Sequence, residues 1–184
     1  MAEDSGHHPG VGDDELVRLC RDTAAALSEA VVRTEALAEF LPATKRLVIF
    51  RGPATMRPLG EVWRLGVLLL ATDASLWAAG SATRSRERGR EGYQSQSLEH
   101  RRDIAAAALR GGYSEGTVVN YDATPLPLDT GAIQALGGDS PLGFSDGRVR
   151  VRWRAGAQIT GAVTLEQYLH ERSELLIHPP LAAT

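Results

Sequence analysis

The chain has 184 residues, of which 43% are hydrophobic and 23% charged, and its net charge at pH 7 is −3. This balance is that of an ordinary globular domain, and a mildly acidic chain has no overall attraction to nucleic acid or anionic lipid. Cys20 is the only cysteine, which excludes an internal disulfide and a cysteine-rich zinc site. The longest apolar run, residues 65–71, is too short to cross a bilayer.

The terminal residues and the choice of basic residues predict where in the cell the protein lies and the kind of genome that encodes it. The start, MAEDSGHHPGVGDD, is acidic and glycine-rich, whereas a signal peptide is basic and then apolar. We therefore expect a cytoplasmic protein in which residues 1–12 form a disordered tail, 42–178 an α+β domain and 179–184 a second tail. Lys45 is the only lysine among 20 basic residues, a bias typical of bacteria with GC-rich genomes.

Residues 13–41 are predicted to form one long N-terminal helix, capped by Asp13 or Asp14 and stopped by Pro42. Spacings of four and three keep one stripe on a single helix face: Leu16, Cys20, Thr23, Leu27, Ala30, Thr34, Leu37 and Leu41. Two interpretations stay open. The stripe packs on the protein's own sheet, or its leucines (Leu16, Leu27, Leu37 and Leu41) form the interface of a homodimer or of a complex with a protein partner.

The middle of the chain reads as a β meander. The run RLVIF (residues 46–50) is a short strand, and residues 51–58 are a loop. Two apolar runs, residues 60–72 and 75–80, flank Asp73 and Ala74, which predicts a hairpin with its turn there. The first run is apolar on both faces, so its strand needs cover on both sides.

The remaining elements are predicted from caps and turns. Residues 97–110 form an internal helix capped by Ser97, 117–121 a strand, and 125–143 a loop with one helical turn. The Asp146–Gly147 turn precedes a strand whose arginines alternate with Val149, Val151 and Trp153, and residues 157–163 pair with it. Residues 164–176 form a C-terminal helix with a Thr-x-x-Gln capping box. The fold class is therefore α+β with a mainly antiparallel sheet.

No motif for catalysis, cofactor binding or metal binding is present in the sequence. A Gly-x-Ser-x-Gly elbow, a Ser-x-x-Lys pair and a glycine-rich phosphate loop are all missing. Cys20 lies on the apolar stripe, where packing is the simpler interpretation. The best acid–base or metal set is Glu166, His170 and Glu174, which share one helix face, although ionic helix faces of this kind are common.

Arginines supply the only other candidate contacts. They occur in the loop after the hairpin and on the alternating strand: Arg84, Arg86, Arg88, Arg90, Arg150 and Arg152. Alternating charge protects an exposed edge strand, whereas guanidinium groups from two neighbouring strands grip a small anion or an acidic partner. No aromatic residues are interleaved with them, so we expect no nucleic-acid binding.

Two resemblances extend this interpretation. The hairpin LGVLLLATD–SLWAAG with the terminal helix TLEQYLHERSELL resembles pleckstrin-homology-like and GRAM-type modules, which implies a bent antiparallel barrel and non-catalytic binding. The phrases WRLGVLLLATD, RGGYSEG and LEQYLHERSELL are similar to short proteins of GC-rich bacteria, some labelled glutaminase. We therefore expect a non-catalytic binding or interaction module, with an amidohydrolase as the alternative.

Overall fold

A computed structural model describes residues 11–43, 52–88 and 96–180 of the chain. These ranges contain four helices: α1 (Val11–Glu29), α2 (Gln96–Arg110), α3 (Thr130–Gln134) and α4 (Leu165–Ile177). They also contain nine strands: β1 (Glu35–Leu41), β2 (Thr55–Leu65), β3 (Leu68–Ala71), β4 (Leu76–Ala78), β5 (Ser81–Arg84), β6 (Val118–Tyr121), β7 (Thr124–Leu126), β8 (Leu142–Ser145) and β9 (Arg148–Val151). Residues 1–10 of the predicted 1–12 tail, residues 181–184 of the second tail, the RLVIF strand and Arg90 lie outside the described residues, whereas residues 11 and 12 begin α1.

Seven strands form one large sheet in the order β5-β6-β1-β2-β3-β4-β7, and β8 and β9 form a separate hairpin. Every pairing is antiparallel except that of β1 with β6. The predicted α+β class with a mainly antiparallel sheet is therefore confirmed. None of the helices in the described ranges combines the length and apolar character that a bilayer crossing needs.

The helices cover one face of the large sheet. Helices α1 and α4 pack over Trp63, Leu65 and the strands that follow them, whereas α2 packs over Met56 and Val119. The strand registers place these apolar side chains on the same face. This arrangement buries the apolar stripe of α1 and leaves its opposite, charged side in solvent.

The other face of the sheet carries a smaller cluster of buried apolar side chains. Leu37, Val62 and Leu69 are buried there in a cluster to which no described helix contributes a residue. Strand β4 continues into β5 and β6 into β7, and the two connections meet at Gly80, where a Cβ atom would lie 2.3 Å from the carbonyl oxygen of Asp122. The sheet is not closed into a barrel, so the barrel implied by the pleckstrin-homology resemblance is wrong.

The prediction of a single helix over residues 13–41 is wrong, because α1 ends at Glu29 and residues 35–41 form β1. Val31 adopts a left-handed conformation (φ 54°), and the backbone amides of Val31 and Val32 donate to the carbonyls of Ser28 and Leu27. This is a Schellman-type helix end with valine where glycine is usual. The β-branched residues that follow favour a strand over helix continuation. The regularly spaced residues after position 29 therefore do not lie on one face of a helix.

Two turns shape the centre of the sheet. The predicted turn at Asp73 is confirmed between β3 and β4, but the long first strand is broken at Gly66 (φ 65°) into β2 and β3. Residues 55–58, predicted as loop, belong to β2. Pro58 is accommodated there because the β1–β2 register shifts between Leu37 and Ala38, and a bulge tolerates proline.

In the second half of the chain most predicted elements are present, but the predicted pairing of residues 157–163 with the arginine strand is wrong: β9 pairs with β8, whose first residues were predicted as loop. Helix α2, strand β6, the short helix α3 and the β8–β9 turn lie where the sequence indicates. Asp146 and Gly147 both have positive φ (52° and 71°), as a two-residue hairpin turn requires. The hydroxyl of Thr164 accepts a hydrogen bond from the Gln167 amide and caps α4. Of residues 157–163, the carbonyl of Val163 accepts from the Val151 amide.

Candidate functional site

A cleft of about 450 Å³ opens between the first half of α1, the turn of the β8–β9 hairpin and the start of α4. Leu16 and Cys20 hold one side of α1 in the core. The adjoining side of the same helix, with Glu15, Arg18 and Asp22, borders the cleft. Asp13 ties the start of α1 to α3, because its carboxylate accepts hydrogen bonds from the amide (2.8 Å) and hydroxyl (2.7 Å) of Thr130. The start of α1, which forms one wall of the cleft, is therefore fixed to α3.

The floor of the cleft is apolar and its rim is charged. Five apolar residues lie in the lining: Leu16, Leu19, Phe144, Val149 and Leu165. Five exposed charged residues surround them: Glu15, Arg18, Asp22, Arg148 and Glu166. Within the described ranges, none of these five side chains makes a hydrogen bond or an ion pair with another residue. The cleft thus presents both signs of charge beside an apolar surface.

The hairpin that forms one wall is fixed from behind by Arg152. Its side chain is buried, and its guanidinium donates to the carbonyl oxygens of Ala157 (3.0 Å), Ser140 (2.9 Å) and Leu142 (2.8 Å). Gly143 leaves the room for it, since a Cβ atom there would lie 2.9 Å from the guanidinium nitrogens. The exposed edge expected for this strand is therefore wrong at Arg152, because the segment after the strand folds over it.

Arg150, the second predicted contact on this strand, is also directed towards its own chain. Its guanidinium donates to the carbonyl oxygens of Ser145 and Ala162 and lies 3.3 Å from the carboxylate of Asp146. Arg148 lies two residues earlier, is exposed and lines the cleft. The alternating arginines thus divide into structural and cleft-lining members.

The arginines after the hairpin lie on β5 and just beyond it. Arg84 donates to the carbonyl of Gly116 (3.3 Å), Arg88 pairs with Asp103 (3.0 Å), and Arg86 is exposed. Because β5 belongs to the large sheet and β9 to the small one, the two groups of arginines are not on neighbouring strands. Their role in binding an anion or a partner stays a prediction.

The leucines predicted as an interface take different positions. Leu16 and Leu27 are buried in the main core, Leu37 is buried on the sheet face opposite the helices, and Leu41 is half-buried at the end of β1. The first three are covered by the chain itself and are not part of its surface. Self-association stays a prediction, and a surface other than these three side chains would have to carry it.

The acid–base candidates on α4 are not brought into one cleft. Glu166 lines the cleft, whereas His170 and Glu174 are exposed and are not among the lining residues. The described ranges hold no group of three histidine, cysteine, aspartate or glutamate side chains that could bind a metal ion. Cys20 is buried, and burial raises the pKa of its thiol to about 11. The amidohydrolase alternative stays a prediction.

A second cavity of about 340 Å³ lies between the far half of α1 and the β3–β4 turn, with Arg21 and Asp73 at its edge. The Asp73 carboxylate accepts from the hydroxyl (2.6 Å) and amide (2.9 Å) of Ser75, and these hydrogen bonds lower its pKa. Its charge is thus already used to shape the turn. The first cleft, whose rim charges have no such partners, is the stronger candidate.

The sequence does not indicate that these residues lie together in one cleft. Arg148 and Glu166 stand out in the sequence only as members of a strand and of a helix face, and Arg18 does not stand out at all. No protein-family model, curated protein or solved structure matches this chain. The geometry of the cleft therefore carries the functional conclusion.

Proposed function

We propose that the protein is a non-catalytic binding module that takes a small amphipathic molecule in the cleft between α1, the β8–β9 turn and α4. The observation that carries the proposal is the pairing of an apolar floor with five rim charges that have no partner in the described chain. Ligand sites in proteins combine these two features, because apolar contact supplies affinity and a few polar groups supply orientation.

The chemistry of the lining supports binding rather than covalent catalysis. Neither histidine nor cysteine lines the cleft. The hydroxyls of its two threonines are engaged: that of Thr130 donates to Asp13, and that of Thr164 accepts from the amide of Gln167. Activation of a nucleophile needs a base within hydrogen-bond reach. The carboxylate beside the Thr130 hydroxyl also accepts from the Thr130 amide and ties α1 to α3, and the Thr164 hydroxyl caps α4, so both hydroxyls have structural roles.

The size of the cleft sets the expected ligand and affinity. The 450 Å³ of the cleft lies at the small end of the roughly 300–1,000 Å³ of small-molecule sites, so a fragment of about 15 non-hydrogen atoms is a suitable probe. A gain of roughly 0.3 kcal/mol per atom gives about 4–5 kcal/mol, which corresponds to a dissociation constant of about 1 mM. The assay must therefore detect weak binding.

Protein-observed NMR with a library of soluble fragments of this size tests the proposal. We expect the shifted amide signals to lie in α1, the β8–β9 turn and the first turn of α4. In the variant Glu15→Trp an indole fills the cleft, so these shifts should be lost. Asp14→Trp makes the same change one residue earlier, at an exposed position outside the lining, and should retain them.

Both variants are first compared with the wild type in thermal unfolding, so that a loss of binding is not confused with a loss of structure. If the fragments shift signals elsewhere in the chain, or if Glu15→Trp and Asp14→Trp bind equally well, the cleft is not the site and the proposal is wrong.

A further inference from the structure

The charges around the cleft define the chemical class of its ligand. Both walls carry both signs: α1 contributes Arg18 together with Glu15 and Asp22, and the opposite wall contributes Arg148 together with Glu166. An anion would meet three carboxylates, and a cation would meet two guanidinium groups. Only a ligand that carries one charge of each sign can pair with both kinds of group.

The absence of ion pairs among these charges on α1 supports the same conclusion. Glu15 and Arg18, and Arg18 and Asp22, are spaced three and four residues apart on α1, where opposite charges often pair. No such pair is formed within 4.0 Å. Each group therefore keeps its full hydrogen-bonding capacity for a ligand, and bidentate contact with a carboxylate is open to either arginine.

From this geometry we infer that the cleft binds a short zwitterionic molecule with an apolar body, of the chemical class of a dipeptide with one aliphatic side chain. The inference rests on the proposed binding function of the cleft. Arg18 and Arg148 recognise the carboxylate, the rim carboxylates recognise the ammonium group, and Phe144 with its apolar neighbours contacts the side chain. A dipeptide of alanine and leucine has about the size that the cleft admits.

The test is an NMR titration of the full chain with alanyl-leucine and with the same dipeptide acetylated at its amino end and amidated at its carboxyl end. Capping removes both charges and keeps the apolar body. We expect alanyl-leucine to shift the cleft signals, and the capped form to bind about tenfold more weakly.

Charge variants of the protein make the test specific. Arg148→Gln is expected to weaken alanyl-leucine about tenfold and to leave the capped form unchanged. Its control is Arg33→Gln, at another exposed arginine that has no partner in the described chain and does not line the cleft. Glu166→Gln is compared in the same way with Glu115→Gln, at an exposed glutamate outside the lining.

The outcomes separate the ligand class from the proposed function. Equal binding of the free and capped dipeptides in the cleft, or equal effects of Arg148→Gln and Arg33→Gln, contradicts the zwitterion and leaves the binding function standing. If neither dipeptide nor any fragment of the library shifts the cleft signals, both the ligand class and the binding function are wrong.

Discussion

The hydroxyl of Tyr168 holds the β2–β3 turn against α4, and its removal is the sharpest test of the packing. It donates to the carbonyl oxygen of Leu65 (2.8 Å) and accepts from the amide of Val67 (3.0 Å). The side chain is 6% exposed, and Leu65 is buried. Tyr168→Phe keeps the ring but leaves both backbone groups without this partner. Each neutral hydrogen bond contributes about 0.5–1.5 kcal/mol, so we expect the free energy of unfolding to fall by about 1–3 kcal/mol.

Chemical and thermal unfolding measure this loss. For a chain of this length about 2 kcal/mol corresponds to a decrease in Tm of about 4–8 °C. The control is Tyr113→Phe, which removes a single longer hydrogen bond (3.3 Å) from a half-buried tyrosine to the carbonyl of Leu37 and should cost under about 1 kcal/mol. If Tyr168→Phe is no more destabilising than Tyr113→Phe, the packing of α4 on this turn is not as described.

Three further predictions concern stability and reactivity. Val31→Gly is expected to stabilise the protein by about 0.5–1 kcal/mol in urea unfolding, because a left-handed β-branched residue costs more than the added freedom of glycine; a destabilised variant would contradict this account of the helix end. Arg152→Met should cost about 2–4 kcal/mol, since it orphans three carbonyl groups, whereas Arg148→Met on the same strand should stay within about 0.5 kcal/mol of wild type; equal losses would refute the distinction. Native Cys20 should resist iodoacetamide at pH 8 and react in urea; rapid alkylation of the folded protein would show that the thiol is accessible. Because folding raises the pKa of this thiol from 9.0 to about 11, the unfolded thiol loses its proton first. The stability that this group contributes should therefore decline as the pH rises from 9 towards 11.

The sequence predicts those elements whose ends are set by nearby residue types, such as a helix cap or a turn. Helix α4 has its threonine cap, and the β8–β9 hairpin has an Asp–Gly turn that accepts positive φ. The long first helix fails because the regular apolar spacing continues past residue 29, while Val31 and the β-branched residues after it end the helix. Periodicity reports which side chains are buried, and both a helix and the strand that follows it can satisfy the same spacing for a few residues.

The cleft could not be predicted, because its walls come from segments far apart in the chain: residues 12–22, 144–149 and 164–166. The alternation of arginine and valine indicates which residues share a face of β9, but not that residues after the strand return over Arg152 and leave Arg148 exposed. Long-range packing decides this division, and single-sequence patterns carry no signal for it.

Intermolecular NOEs between alanyl-leucine and the protein test the central claim, that the cleft is a ligand site, most directly. With labelled protein and unlabelled dipeptide, the leucine methyl groups of the ligand should give NOEs to the ring protons of Phe144 and to the methyl groups of Leu19 and Val149, which form the floor. NOEs only to residues outside the cleft, such as the exposed ring of Trp153, or saturation without any contact to these floor residues, would contradict the claim.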